Sequence, residues 1–117
     1  MMLINFNEYE FYLVCGKTDM RCGAFSLSRR IQDELKMDPL EKNIFIFCGS
    51  NNKCIKALVW DKNGFFLLQK RLLSKGTFRW PNTEKEALKV SRNEVKMLLE
   101  GADIFRRFPI LKGKLAM

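Results

Sequence analysis

No histidine occurs among the 117 residues, and that absence removes a large part of enzyme chemistry at the outset. Without an imidazole there is no Ser-His or Cys-His nucleophile, and the commonest general base is gone. Cysteines stand at 15, 22, 48 and 54, but no two of them form a C-x-x-C pair, so the ligand spacing of a zinc ribbon or finger is missing. Gly16-Lys17-Thr18 has the ending of a phosphate-cradling P-loop, yet the glycine required five residues upstream is Phe11. Long apolar runs are also missing. No stretch approaches the roughly 20 residues of a membrane helix, and Met1 to Cys15 carries Glu8 and Glu10 where a leader peptide needs an apolar core. The expectation is a cytoplasmic protein with no membrane partner, whose thiols are reduced and mostly buried. Cys48 and Cys54 flank one turn and are expected to be near neighbours.

What is present is a folded chain with displaced charge. Hydrophobic residues make up 47% of the sequence, enough for one domain to bury a core without metal or disulfide staples. The net charge is +8, and it is uneven: residues 51–81 hold seven Lys/Arg against one Asp/Glu, whereas residues 1–50 are close to neutral. Clustered positive charge on a folded domain points to nucleic acid as the first candidate partner, against a plain solubility surface.

That basic stretch lies in the best-patterned part of the chain. Asn43 to Cys48, Cys54 to Trp60 and Phe65 to Leu72 read as three strands, the last two joined by Asp61-Lys62-Asn63-Gly64. Asp suits the first position of a type I turn and Gly the left-handed position that closes it, which predicts a bulge at Gly64. Counting back from that bulge sets Trp60 opposite Phe66, Leu58 opposite Leu68 and Lys56 opposite Lys70. Two facing lysines repel by roughly 0.2–1 kcal/mol and need a counter-charge, from a carboxylate of the fold, from solvent, or from a bound phosphate.

Around this meander, Tyr9 to Cys15 reads as a strand, and Asp19 is placed to cap a helix running from about Gly23 to Lys36. Leu27, Ile31 and Leu35 give that helix a narrow apolar stripe, and Met37-Asp38-Pro39 ends it. Thr77 to Trp80 is a short strand or extended piece. Ala87 to Val90 is either a strand or part of a helix started by Thr83 and Glu86. Ser91 and Glu94 form a capping box for a helix from Arg92 to Glu100, closed by Gly101. Residues 105–117 read as a weakly ordered basic tail after a domain spanning residues 1–104. The fold class predicted is α+β: a largely antiparallel meander of about four or five strands packed against one main helix, with a second short C-terminal helix.

Chemistry is hard to find. Asp19, Asp61 and Asp103 are the acids to nominate for a metal-dependent nuclease, but a cap explains the first and a turn the second, and no pattern makes the three converge. No metal site, cofactor or catalytic residue is expected. Trp60 is better explained by packing than by base stacking.

Several blocks, in order, resemble a known family. They are Thr18-Asp19-Met20-Arg21 before a helix, Ile44-Phe45-Ile46-Phe47, Lys56-Ala57-Leu58-Val59-Trp60-Asp61, Gly64-Phe65-Phe66-Leu67, Lys70-Arg71-Leu72, Gly76-Thr77-Phe78-Arg79-Trp80-Pro81 and Leu98-Leu99-Glu100-Gly101-Ala102-Asp103. Together they are similar to the Orf2-like (TnpB-type) accessory protein of the insertion sequence 66 family of bacterial transposable elements. The resemblance implies a non-catalytic partner of a separate transposase, and it places the family's signature polar residues at Asp19, Arg21, Lys56, Asp61, Lys70 and Arg79. Asp19 or Asp61 could equally serve as internal counter-charges. The expectation is that Lys53, Lys56, Lys70, Arg71, Lys75 and Arg79 contact DNA backbone and that an apolar edge or the tail meets the transposase. The alternative is a protein-interaction module that never touches DNA.

Overall fold

The most enclosed strand is β2 (Asn43–Cys48), in which every residue from Ile44 to Cys48 is buried. A strand covered on both faces must be apolar at consecutive positions, and Ile44-Phe45-Ile46-Phe47 meets that demand. The computed structural model describes residues 4–73, 75–82 and 86–101. β1 (Glu10–Val14), β2, β3 (Cys54–Asp61), β4 (Gly64–Arg71) and β5 (Ala87–Val90) form one sheet in the order β4-β3-β2-β1-β5. β1 and β2 run parallel, joined by a crossover through α1 (Ala24–Asp33), and the other pairings are antiparallel. α2 (Arg92–Leu99) follows β5 directly. This is the α+β domain that the strand and helix patterns predict.

Each face of the sheet has its own core. On one, Leu27 and Ile31 of α1 pack with Val14, Phe45, Phe47 and Leu58. On the other, Val95 and Leu98 of α2 pack with Leu13, Ile44, Ile46, Ile55 and Val59, and the extended 77–80 segment adds Phe78 and Trp80. Trp80 is fixed by its indole N–H, which donates to the Val14 carbonyl at 2.9 Å. Each buried Phe or Leu contributes about 1.5–3 kcal/mol relative to leaving it in water. No helix among the described residues is long and apolar enough to cross a membrane.

The β3–β4 hairpin differs from its predicted register by one residue. Asp61 lies opposite Gly64, Trp60 opposite Phe65, Leu58 opposite Leu67, Lys56 opposite Gln69 and Ile55 opposite Lys70. The turn is a two-residue Lys62-Asn63 loop, with Lys62 rather than Gly64 in the left-handed region at φ 58°. Packing overrides the turn preference, because this register sets Trp60 edge-to-face on Phe65 with ring centroids 5.0 Å apart. A one-residue slip moves every β4 side chain to the other face. Lys56 and Lys70 therefore lie on opposite faces, and the repulsion expected between them does not exist.

Asp19 does not cap α1; Gly23 occupies the N-cap without a side-chain bond. The helix also ends earlier than its apolar stripe suggests, since Lys36 turns left-handed at φ 57° and the Met37 N–H reaches back to the Ile31 carbonyl at 3.1 Å. Ala87–Val90 is a strand because β1 has an open edge that it fills, from Phe11 opposite Val90 to Val14 opposite Ala87. α2 carries its predicted capping box, with Ser91 and Glu94 each accepting the other's backbone N–H. Ser74, Thr83, Asp103 and the 105–117 tail, with the boundary at residue 104, lie outside the described residues.

Candidate nucleic-acid interface

The basic residues gather at one end of the sheet, where β1, β2 and β4 finish and β3 begins. Backbone hydrogen bonds lace the loops there: Leu72 N–H to the Lys53 carbonyl at 2.8 Å, Phe78 N–H to Asn52 at 2.7 Å, Gly16 N–H to Pro81 at 2.8 Å and Thr18 N–H to Cys48 at 2.8 Å. Asn52 is the hub. Its left-handed backbone, φ 59°, suits Asn better than most residues, and its side-chain amide donates to the Phe78 carbonyl at 2.9 Å while its oxygen accepts from the Lys17 ammonium. These ties bring Lys17, Lys53, Arg71, Lys75 and Arg79 to one region, although they are as many as 62 positions apart in the chain.

An open cleft in this region is lined by Lys17, Asp19, Arg21, Ser50, Asn51 and Arg71, with Met20 and Gly49 at close quarters. A Cβ on Gly49 would come within 2.7 Å of the Met20 Cγ, so glycine is needed for the two loops to approach. Asp19 holds Arg21 as a fork: Nη2 to Oδ2 is 2.7 Å, Nε to Oδ1 is 3.0 Å, and the Arg21 backbone N–H also donates to Oδ1 at 2.9 Å. The hydrogen bonds from Arg21 lower the Asp19 carboxyl to about 2, with a smaller lowering from the Lys56 charge. Asp19 thus positions an exposed guanidinium whose remaining donors face solvent. Arg71 has no hydrogen-bond or ion-pair partner among the described residues and opens into the same cleft.

The other predicted contacts divide. Lys53 is half-buried and donates to the Gly76 carbonyl at 2.8 Å, while Lys75 and Arg79 are exposed. Lys56, only 9% exposed, turns inward and donates to the Cys22 carbonyl at 2.9 Å, tying β3 to the start of α1. Lys70, on the opposite face, donates to the Leu99 carbonyl at 3.1 Å, where a cation meets the negative end of α2. Both lysines thus bond protein carbonyls. Asp61 stands at the far end of the sheet in the hairpin turn, so it and Asp19 do not converge; Asp103 is outside the described residues. Among the described residues no group of three or more His, Cys, Asp or Glu could hold a metal ion. None of the four cysteines is in a disulfide, and burial pushes the Cys48 thiol up to about 11, which keeps it unreactive.

Lys17 was not among the residues expected to meet DNA. The signal for it was topological: a loop that follows a strand and enters a helix to a parallel neighbour sits at the carboxyl ends of both strands, where ligands of open α/β sheets bind. Without knowing that β1 and β2 are parallel, that signal cannot be read.

Comparison with known proteins agrees with the blocks noted in the sequence. The family described as IS66 Orf2 like protein matches residues 9–108. "Uncharacterized protein y4hO" of Sinorhizobium fredii (strain NBRC 101917 / NGR234) is 38% identical over 102 residues, covering 87% of this chain and 88% of its own. "Uncharacterized protein y4jC" of the same organism is 32% identical over 85 residues, covering 73% of this chain and 72% of its own. No solved structure matches the chain. The chain belongs to the IS66 Orf2-like family, and that membership implies an accessory role in transposition.

Proposed function

We propose that this protein is a non-catalytic accessory factor of insertion-sequence transposition that holds DNA by its phosphates while the separate transposase performs the chemistry. The observation that carries the reading is the collection of Lys17, Arg21, Lys53, Arg71, Lys75 and Arg79 at one end of the sheet, with Arg71 unpartnered among the described residues and Asp19 in the cleft already engaged by Arg21. A guanidinium with no counter-charge among the described residues suits a polyanion, and contacts to phosphate confer affinity without sequence choice. Lys56 and Lys70 serve the fold in this reading, not the DNA.

The test is anisotropy of a labelled duplex at several salt concentrations, comparing wild type with an Arg71→Ala/Arg79→Ala variant. The expected dissociation constant lies at about 10⁻⁴ to 10⁻⁶ M at physiological salt, and the variant's salt slope is shallower by about 0.9 for each phosphate it no longer neutralises. Failure of the wild type to bind even at low salt sinks the DNA reading and leaves a pure protein-interaction module.

A further inference from the structure

Among the described residues, α2 leaves part of its face of the sheet uncovered. α2 packs on the sheet through Val95 and Leu98, and beside it an open apolar groove of about 560 Å³ runs across Ile44, Ile55, Ala57, Val59 and Leu68 to Val95 and Leu99 of α2. That volume lies within the roughly 300–1,000 Å³ of ligand clefts. β4 is the sheet's edge on this side, and it presents Phe66 and Leu68 at 42% and 36% exposure. Isolated exposed apolar residues need no explanation, but a groove continuous with an apolar edge strand marks an interaction site.

Charge around the groove selects the occupant. Lys70, Arg92 and Lys96 line its rim against the carboxylate of Glu100, and Lys96 has no partner among the described residues. The chain's own segment 102–117 carries Arg106, Arg107, Lys112 and Lys114 against Asp103, the same sign as the rim. A second copy would bring an identical basic rim to face the first.

We infer that this groove docks an amphipathic segment of a protein partner, apolar on the face that enters and acidic on its flanks. Helix-in-groove recognition takes apolar anchors at i, i+3, i+4 and i+7, and the basic rim orients such a segment and rejects a basic one. The site is separate from the DNA-binding cleft and does not depend on it.

The test uses the full chain and three fluorescein-labelled peptides of equal length: one with Leu at i, i+3, i+4 and i+7 and Glu at the flanks, one with Lys for Glu, and one with the first composition scrambled. The Glu-flanked peptide is expected to bind about tenfold or more tightly than either control. Lys96→Glu, an exposed change that leaves the core alone, should weaken it about fivefold or more, and Leu68→Glu by a further similar factor, with helix content and melting temperature checked for each. Equal binding of the Glu- and Lys-flanked peptides would overturn the proposal. So would binding that emerges only in a Phe105→Ala/Phe108→Ala variant, which would give the groove to the chain's own segment 102–117. A dimer in sedimentation that Leu68→Glu converts to monomer would give it to a second copy and overturn the proposal likewise.

Discussion

At the end of the sheet where β1 and β2 begin, Lys42 pairs with Glu8 and Lys89 pairs with Glu10 at 2.8 Å, so cations there are matched by carboxylates of the fold. At the other end Lys17 and Lys53 bond an amide and a carbonyl, Arg71 opens into the cleft, and Arg21 takes up the Asp19 carboxylate. The ion pairs at the first end shift titrations internally: Lys42 raises its own proton affinity through Glu8, and Lys89 through Glu10. Among the described residues, Lys17 and Arg71 at the second end have no carboxylate partner. Net charge alone does not distinguish these ends; the pairing does.

Charge reversal has the largest expected effect. Arg71→Glu with Arg79→Glu should lower duplex affinity by about a hundredfold or more, whereas Lys42→Glu with Lys62→Glu at the opposite end should change it by less than about threefold, both read by anisotropy. Next in size is Lys56→Met. Losing its bond to Cys22 should cost about 1–3 kcal/mol in denaturant unfolding, with duplex affinity and salt slope unchanged, which separates a lysine of the fold from a lysine of the interface.

Asp19→Asn has a smaller expected effect. It removes the acid from the cleft while keeping its shape, and duplex affinity should rise by about two- to threefold. The same variant supplies a pH test. The Asp19 carboxyl sits at about 2, below its ordinary 3.8, so the ionised form favours the native state. That contribution is fully present above the ordinary value and is lost as pH falls through about 2. Wild type and Asp19→Asn should therefore converge in melting temperature toward that acid limit and keep a constant difference from about pH 5 to 8. The smallest effect belongs to Glu8→Gln, an exposed partner whose loss should move the melting temperature by less than about 2 °C.

The elements with strong local signals were readable. β2 announces itself by consecutive apolar residues, and α2 by its Ser91–Glu94 box, because both signals come from residues close in sequence. The hairpin register was not, since the choice between a Gly64 bulge and a Lys62-Asn63 loop depends on how Trp60 and Phe65 pack. That one-residue difference removed the apparent Lys56–Lys70 pair and reassigned both lysines. Asp19 likewise matched a cap by position, but Arg21 two residues on competes for its oxygens and wins as a charged, forked partner. The exposed positions of Arg71 and Arg79 in the basic stretch were legible from the sequence; the placing of Lys17 beside them required the parallel β1–β2 neighbourhood, a pairing between distant segments.

The position of β1 also orders the molecule in time. Among the described residues it is the first strand, yet it lies between β2 and β5, the last of them, and pairs with both. The β2-β3-β4 meander contains its own local pairings and can form soon after it leaves the ribosome, whereas β1 waits for β2 on one side and for β5 on the other. A chain still tethered during synthesis therefore exposes one edge of β1 until the region just before α2 is made. The basic end, whose loops depend on Gly16 meeting Pro81 and Cys15 meeting Glu86, is completed only then.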